Sequence, residues 1–158
     1  MDPDYQAHLY MQEQLEAFVA AFTERHSSAR RHYLPQGEVS KKAAKRSARH
    51  RHINPMLGMD GLGRELDIRY CKQLPKGSKQ HDIEFVLKAI VKYKLKVCYI
   101  MSPIVDYHQQ TMPIEEALDA IVGLSSTTSI SFIRGKVAYF EGHSVGERFL
   151  CIKEDRAY

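Results

Sequence analysis

The chain reads as an α+β protein, and three observations carry that reading. Apolar residues recur at helical spacing in one segment near the start and in two further segments of the second half. Between and after those two segments they alternate with the period of a strand, and the chain closes with a run of short strands separated by turn residues. A hydrophobic fraction of 44% over 158 residues supports a core of ordinary size, since soluble domains run near 45–50%. The expected architecture is an N-terminal helix and a basic helical arm, followed by a mixed β-α-β-α-β-β-β sheet with two helices on one face. We divide the chain into an amphipathic helix at 1–24, a basic arm with a Gly-rich linker at 25–63, and an α+β domain at 64–158.

The first helix is expected from Asp4 to Glu24. Met11, Leu15, Phe18, Val19 and Phe22 fall on one stripe, and no proline or glycine interrupts the span. Asp2 and Asp4 at its start suit the positive end of the helix dipole. The stripe needs a cover, which is either the domain that follows or its twin in a homodimer.

Arg25 to His52 follows, with nine Lys/Arg against the single acid Glu38. That local net of +8 sits in a chain whose total is +4, so the remainder sums to −4. Segregated positive charge attracts polyanions, and nucleic acid is the commonest such partner. Ser27, Ser28 and Pro35-Gln36-Gly37 favour a loop in the first part. From Ser40, an N-cap residue, helix formers dominate. Lys41, Lys42, Lys45, Arg46 and Arg49 then share one side, with Ala43, Ala44, Ser47 and Ala48 on the other. Such a helix buries little and is expected to be frayed alone and more ordered on a polyanion. The expected contacts to phosphate are Arg30, Arg31, Lys41, Lys42, Lys45, Arg46, Arg49 and Arg51. The target is DNA or RNA; the alternative is an inhibitor or adaptor that docks an acidic surface of a larger partner. A nuclear address or a plain solvated face gives the same pattern. His26, His32, His50 and His52 add charge only in acid.

Ile53 to Gly63 holds Pro55, Gly58, Gly61 and Gly63 and reads as a linker. It lacks the GxxxxGK[ST] spacing of a phosphate-binding loop. Leu66, Ile68 and Tyr70 alternate with Asp67, Arg69 and Cys71 as a strand ending before Pro75-Lys76-Gly77. Asp82 to Lys94 is a helix with the stripe Ile83, Val86, Leu87, Ile90 and Val91. Lys94 to Ser102 returns to strand, and Pro103 to Gln110 is a loop. Pro113, Glu115 and Glu116 open a second helix that stops near Gly123. Thr127–Ile133, Lys136–Glu141 and Glu147–Lys153 are antiparallel strands, turned at Arg134-Gly135 and at 142–146. This order without its last strand is similar to that of compact RNA-binding domains such as the C-terminal domain of bacterial translation initiation factor 3, an analogy of topology.

Catalytic constellations are weak. Cys98 with His108 or His143 is a candidate Cys-His pair, but Cys98 lies in an apolar strand. Asp67, Asp82, Glu84 and Asp106 are carboxylates a metal-dependent nuclease would want, without a spacing that gathers them. His50 and His52 sit among cations that repel a metal. No catalytic residue, metal or cofactor is assigned, and a non-enzymatic role is expected. Were one sheet face open, Phe140 with Lys136 and Arg69 could stack bases, whereas Tyr139 and Phe132 read as core. Cys71, Cys98 and Cys151 are odd in number and lack metal spacing, which suits a reducing intracellular compartment. The start of the chain is acidic, and no apolar run reaches the ~18–20 residues of a membrane span, so no membrane partner is expected.

Overall fold

A proline that loses nothing at the first helical position, with an aspartate just before it, starts the longest helix. In the computed structural model, which describes residues 2–34 and 54–154, helix α1 spans Pro3–Phe22 and the Asp2 carboxylate accepts from the Asp4 N–H at 3.0 Å. Thr23 stops it by turning extended, while its hydroxyl donates back to the Val19 carbonyl at 2.6 Å. Helix α2, Ser28–Tyr33, is capped by Ser27. Helix α3, Lys79–Ile90, is capped by Ser78, whose hydroxyl accepts from the His81 N–H at 3.1 Å. Helix α4 is Ile114–Ile121. Two 3-10 turns, Pro55–Gly58 and Leu62–Glu65, lie ahead of the sheet.

The strands are β1 Cys71–Gln73, β2 Val97–Met101, β3 Gln110–Pro113, β4 Thr128–Ile133, β5 Val137–Glu141 and β6 Arg148–Ile152. They form one sheet in the order β1-β6-β5-β4-β2-β3. The α+β class is as the sequence implies, with two differences in the pairing. Every adjacent pair is antiparallel, where a mixed sheet was expected. The expected loop at 103–110 leads into a sixth strand, β3, which folds back on β2 as an edge hairpin. Its sequence, Gln-Thr-Met-Pro, is polar and ends in proline, which edge strands tolerate and central strands do not.

The expected strand at 66–71 also begins later. Leu66 makes one isolated bridge to Thr23, and Asp67 to Tyr70 then turn, with the Asp67 carbonyl accepting from the N–H groups of Tyr70 and Cys71. The Asp67 carboxylate binds the Arg69 backbone and guanidinium, a local bond that competes with strand pairing. Ile68 is left 87% exposed.

Both faces of the sheet are covered. On one, Ile83, Val86 and Ile90 of α3 and Ile114, Leu118 and Ile121 of α4 pack on Ile100, Ile130, Tyr139 and Leu150. On the other, the α1 stripe of Met11, Leu15, Phe18, Val19 and Phe22 packs with Met56 and Leu62 on Tyr99, Met101, Phe140 and Cys151. The α1 stripe is thus covered by the chain's own sheet. Consecutive residues of β2 and β5 face opposite helices, which is why those strands are apolar at successive positions. Phe140 is 0% exposed, with its ring 5.9 Å from Phe18. It is a core residue worth about 2–3 kcal/mol of burial, and the open base-stacking face with Phe140, Lys136 and Arg69 does not exist.

Candidate nucleic-acid interface

Of the cations expected to meet phosphate, Lys41, Lys42, Lys45, Arg46, Arg49 and Arg51 lie outside the described residues, as does the helix expected there. Arg30 and Arg31 are adjacent on α2 and part ways. Arg30 turns inward: Nε donates to the Thr23 carbonyl and hydroxyl at 3.3 and 3.2 Å, and Nη2 to the Ala20 carbonyl at 2.7 Å. It ties α2 to the C-terminal end of α1, where orphan carbonyls and the helix dipole favour a cation. Arg31 and His32 face solvent.

Beside them lies a cavity of about 490 Å³ between α2 and the two 3-10 turns. Met59 and Leu62 give it an apolar wall and Tyr33 an aromatic one, with Arg31 as a cation and His32 at the rim and Glu65 alongside. The His32 and Tyr33 rings meet edge to face at 4.6 Å. Burial raises the Tyr33 hydroxyl above its ordinary value, so it stays a hydrogen-bond donor at neutral pH. Flat aromatic surface beside guanidinium is the chemistry that holds a base and its phosphate.

Glu65 organises this wall. Its carboxylate accepts from the Ser28 hydroxyl at 2.6 Å and from the N–H groups of Ser28 and Ala29 at 3.0 and 3.4 Å, satisfying the start of α2. Burial works to raise its pKa, but those bonds and the charge of Arg31 outweigh it and hold the carboxyl below its ordinary value. The cavity stands at the C-terminal end of α2, and just past the basic stretch the Asn54 amide donates to the Ser102 carbonyl at 2.6 Å. Both roots of the basic stretch are therefore fixed to the body.

Comparison with protein-family models, curated proteins and solved structures finds no match.

Among the described residues a second set of ionisable groups converges elsewhere, and sequence reasoning missed it. Glu141 is 0% exposed. Its carboxylate accepts from the Tyr139 hydroxyl at 2.7 Å, the Gly123 N–H at 2.8 Å and the Ser125 N–H at 2.6 Å. Arg148, its partner in the β5–β6 register, approaches to 3.7 Å and also binds Asp82 at the start of α3. The loop reaches Glu141 by adopting positive φ at Gly123, Ser125 and Thr127. For the β-branched Thr127 this costs on the order of 1–3 kcal/mol. Burial, with Glu141 beside it, raises the Tyr139 hydroxyl far above its ordinary value, so it remains a donor to that carboxylate. The single positive charge of Arg148 is shared between two carboxylates and offsets one of their two charges, so the cluster fastens α3, the α4–β4 loop and β5–β6 together. The only signal in the sequence is the opposite charge of Glu141 and Arg148 across a turn.

The weaker catalytic candidates separate. Cys98 Sγ contacts the Met112 carbonyl at 3.5 Å, and burial pushes its thiol up to about 12, which leaves no nucleophile at neutral pH. His108 Nδ1 accepts from the Ser102 N–H at 3.1 Å, and burial lowers its pKa. His143 is exposed in the β5–β6 turn. Asp67 is engaged by Arg69, Asp82 by Arg148 and Glu84 by Gln80, while Asp106 is exposed in the β2–β3 connection. Among the described residues no group of three His, Cys, Asp or Glu could hold a metal. Nor is any described helix long and apolar enough to cross a membrane.

Proposed function

We propose that the protein is a nucleic-acid-binding accessory protein, non-enzymatic, that grips the phosphate backbone through its basic segment. The observation that carries this is the gathering of nine Lys/Arg between Arg25 and His52 in a chain of net charge only +4. Lys41, Lys42, Lys45, Arg46, Arg49 and Arg51 supply the contacts, and Arg31 extends them onto the folded body. Phosphate contacts of this kind position a protein without reading sequence. The cavity beside Arg31, His32 and Tyr33 supports the reading, because it offers an unpaired base an aromatic wall at the root of the cationic stretch. Three cysteines without metal spacing support a reducing intracellular compartment as part of this reading.

A mobility-shift series with DNA and RNA at several salt concentrations tests the proposal. Five to seven contacts predict a log–log salt slope of about −5 to −6 on duplex DNA, at about −0.9 per phosphate. Replacing Lys41, Lys42, Lys45 and Arg46 with Ala removes most binding while far-UV circular dichroism of the body is retained. No shift of DNA or RNA in dilute buffer overturns it. One acidic protein retained by the cations in its place would make the chain a protein-docking module.

A further inference from the structure

Two cysteines eighty positions apart in sequence stand directly opposite each other in the sheet. Cys71 of β1 and Cys151 of β6 are register partners in an antiparallel pair. The ladder fixes which kind of partners. Leu74 N–H donates to the Arg148 carbonyl at 2.8 Å and Ile152 N–H to the Tyr70 carbonyl at 2.9 Å, so the pairs 70/152 and 74/148 are the hydrogen-bonded ones. By alternation Cys71 and Cys151 form a non-hydrogen-bonded pair, the class with Cα atoms at about 4.5 Å and the closest side chains. A disulfide requires a Cα separation of roughly 4.4–6.8 Å.

Both side chains point to the face beneath α1, both are buried, and both are free thiols. The two are direct cross-strand neighbours, and Cys71 Sγ reaches the Phe22 carbonyl at 3.4 Å. Cys98 belongs to the opposite face of the sheet and cannot compete.

We propose that Cys71 and Cys151 are an oxidation site, a dithiol that a low-molecular-weight disulfide converts into a cross-strand disulfide between β1 and β6. The Cys71 thiolate attacks the small disulfide, forming a mixed disulfide and expelling one small thiolate. The Cys151 thiolate then attacks the Cys71 sulfur, closing the protein disulfide and expelling the second. The protein gives up two electrons, the small disulfide is reduced to two thiols, and the protons of Cys71 and Cys151 end on those leaving groups. Cys71 takes the first step because β1 is a three-residue strand at the sheet edge, the kind of element that opens locally at low cost. Burial, with Cys71 beside it, raises the Cys151 thiol well above its ordinary value, which makes the pair slow to react until that edge opens. Under reducing conditions the pair stays as thiols, so the site responds to a change in redox poise. Oxidation clamps to the sheet the strand that follows the Thr23–Leu66 bridge, and with it the junction between α1 and the body.

The test uses the full chain, incubated natively with oxidised glutathione, then unfolded, alkylated and mapped by mass spectrometry. The free-thiol titre is expected to fall from three to one, with a peptide joining Cys71 to Cys151 and Cys98 alone alkylated. The urea midpoint of the oxidised form is expected to rise and to return on adding dithiothreitol. Cys98→Ala, which keeps both partners, behaves as the parent, and Cys71→Ser forms no intramolecular link. A titre that stays at three, an accumulation of glutathione adducts alone, or links through Cys98 or between chains overturns the proposal.

Discussion

Replacing Arg148 with methionine removes the one cation the structure places between Asp82 and Glu141 and keeps much of the side chain's length. Asp82 is 1% exposed and Glu141 0%, so neither carboxylate can turn to water. At the 3.7 Å separation of Arg148 Nε and Glu141 Oε1, Coulomb's law gives about 4–5 kcal/mol per pair at an effective dielectric of about 20. Desolvation of the guanidinium, whose side chain is 18% exposed, offsets part of that in the intact protein. Once the cation is gone Glu141 keeps its bonds from Tyr139, Gly123 and Ser125, but no guanidinium bridges the two buried carboxylates, and breaking such a pair costs roughly 3–5 kcal/mol. Domains have about 5–15 kcal/mol in total, so the loss takes a large share of the stability. The assay is urea unfolding followed by far-UV circular dichroism. With a slope of about 2 kcal/mol per molar urea, the midpoint falls by roughly 2 M. Arg148→Lys keeps the charge but loses the fork that reaches both carboxylates, and falls in between. Asp82→Asn in the Arg148→Met background recovers part of the loss, because one stranded charge has been removed. A loss below about 1 kcal/mol for Arg148→Met, with no recovery in the double variant, would refute the account of this network.

Other consequences are as specific. Arg30→Ala costs about 1–3 kcal/mol, since it leaves the end of α1 and Thr23 without donors, whereas Arg31→Ala changes stability by less than about 0.5 kcal/mol and weakens nucleic-acid binding; thermal melts and mobility shifts on both variants check the division. Glu65 has a folded pKa below its ordinary 4.5, so its contribution is present above pH about 4.5 and is lost as pH falls through the folded value. Glu65→Gln therefore destabilises near neutrality and flattens the acid limb of the stability profile; an unchanged limb contradicts the capping role. Cys98, with its thiol near 12, is thiolate in roughly one molecule in 10⁵ at pH 7, so iodoacetamide labels it at the rate of unfolding, and rapid labelling of the native protein would show the strand to be open.

What could be read from the letters was what is local. The stripe of Met11, Leu15, Phe18, Val19 and Phe22 is buried along its whole length, because helical spacing depends on nothing but neighbours a few residues away. The alternation of the last three strands and their turns held for the same reason. At 66–71 the alternation was present but lost to the bonds between Asp67 and Arg69 and to the turn they anchor. β3 escaped because its polar residues carry no hydrophobic pattern, and only pairing with β2 makes it a strand. That α1 lies across the second face of the sheet is a tertiary fact, and it decides that Phe140 is core. The network at Glu141 and the meeting of Cys71 with Cys151 depend on register between segments far apart in the chain, which composition and period do not encode. The charge of Arg30 is visible in the sequence, and the carbonyls of Thr23 and Ala20 that it binds are not.

The sheet is bounded by β1, three residues long, and by β3, where Gln110 and Thr111 are exposed and Pro113 ends the strand. Margins this short and hydrophilic are poor templates for a strand from another molecule. Concentrated solutions of the folded protein should therefore stay clear of fibrils, and turbidity on storage would report unfolding rather than stacking of native copies.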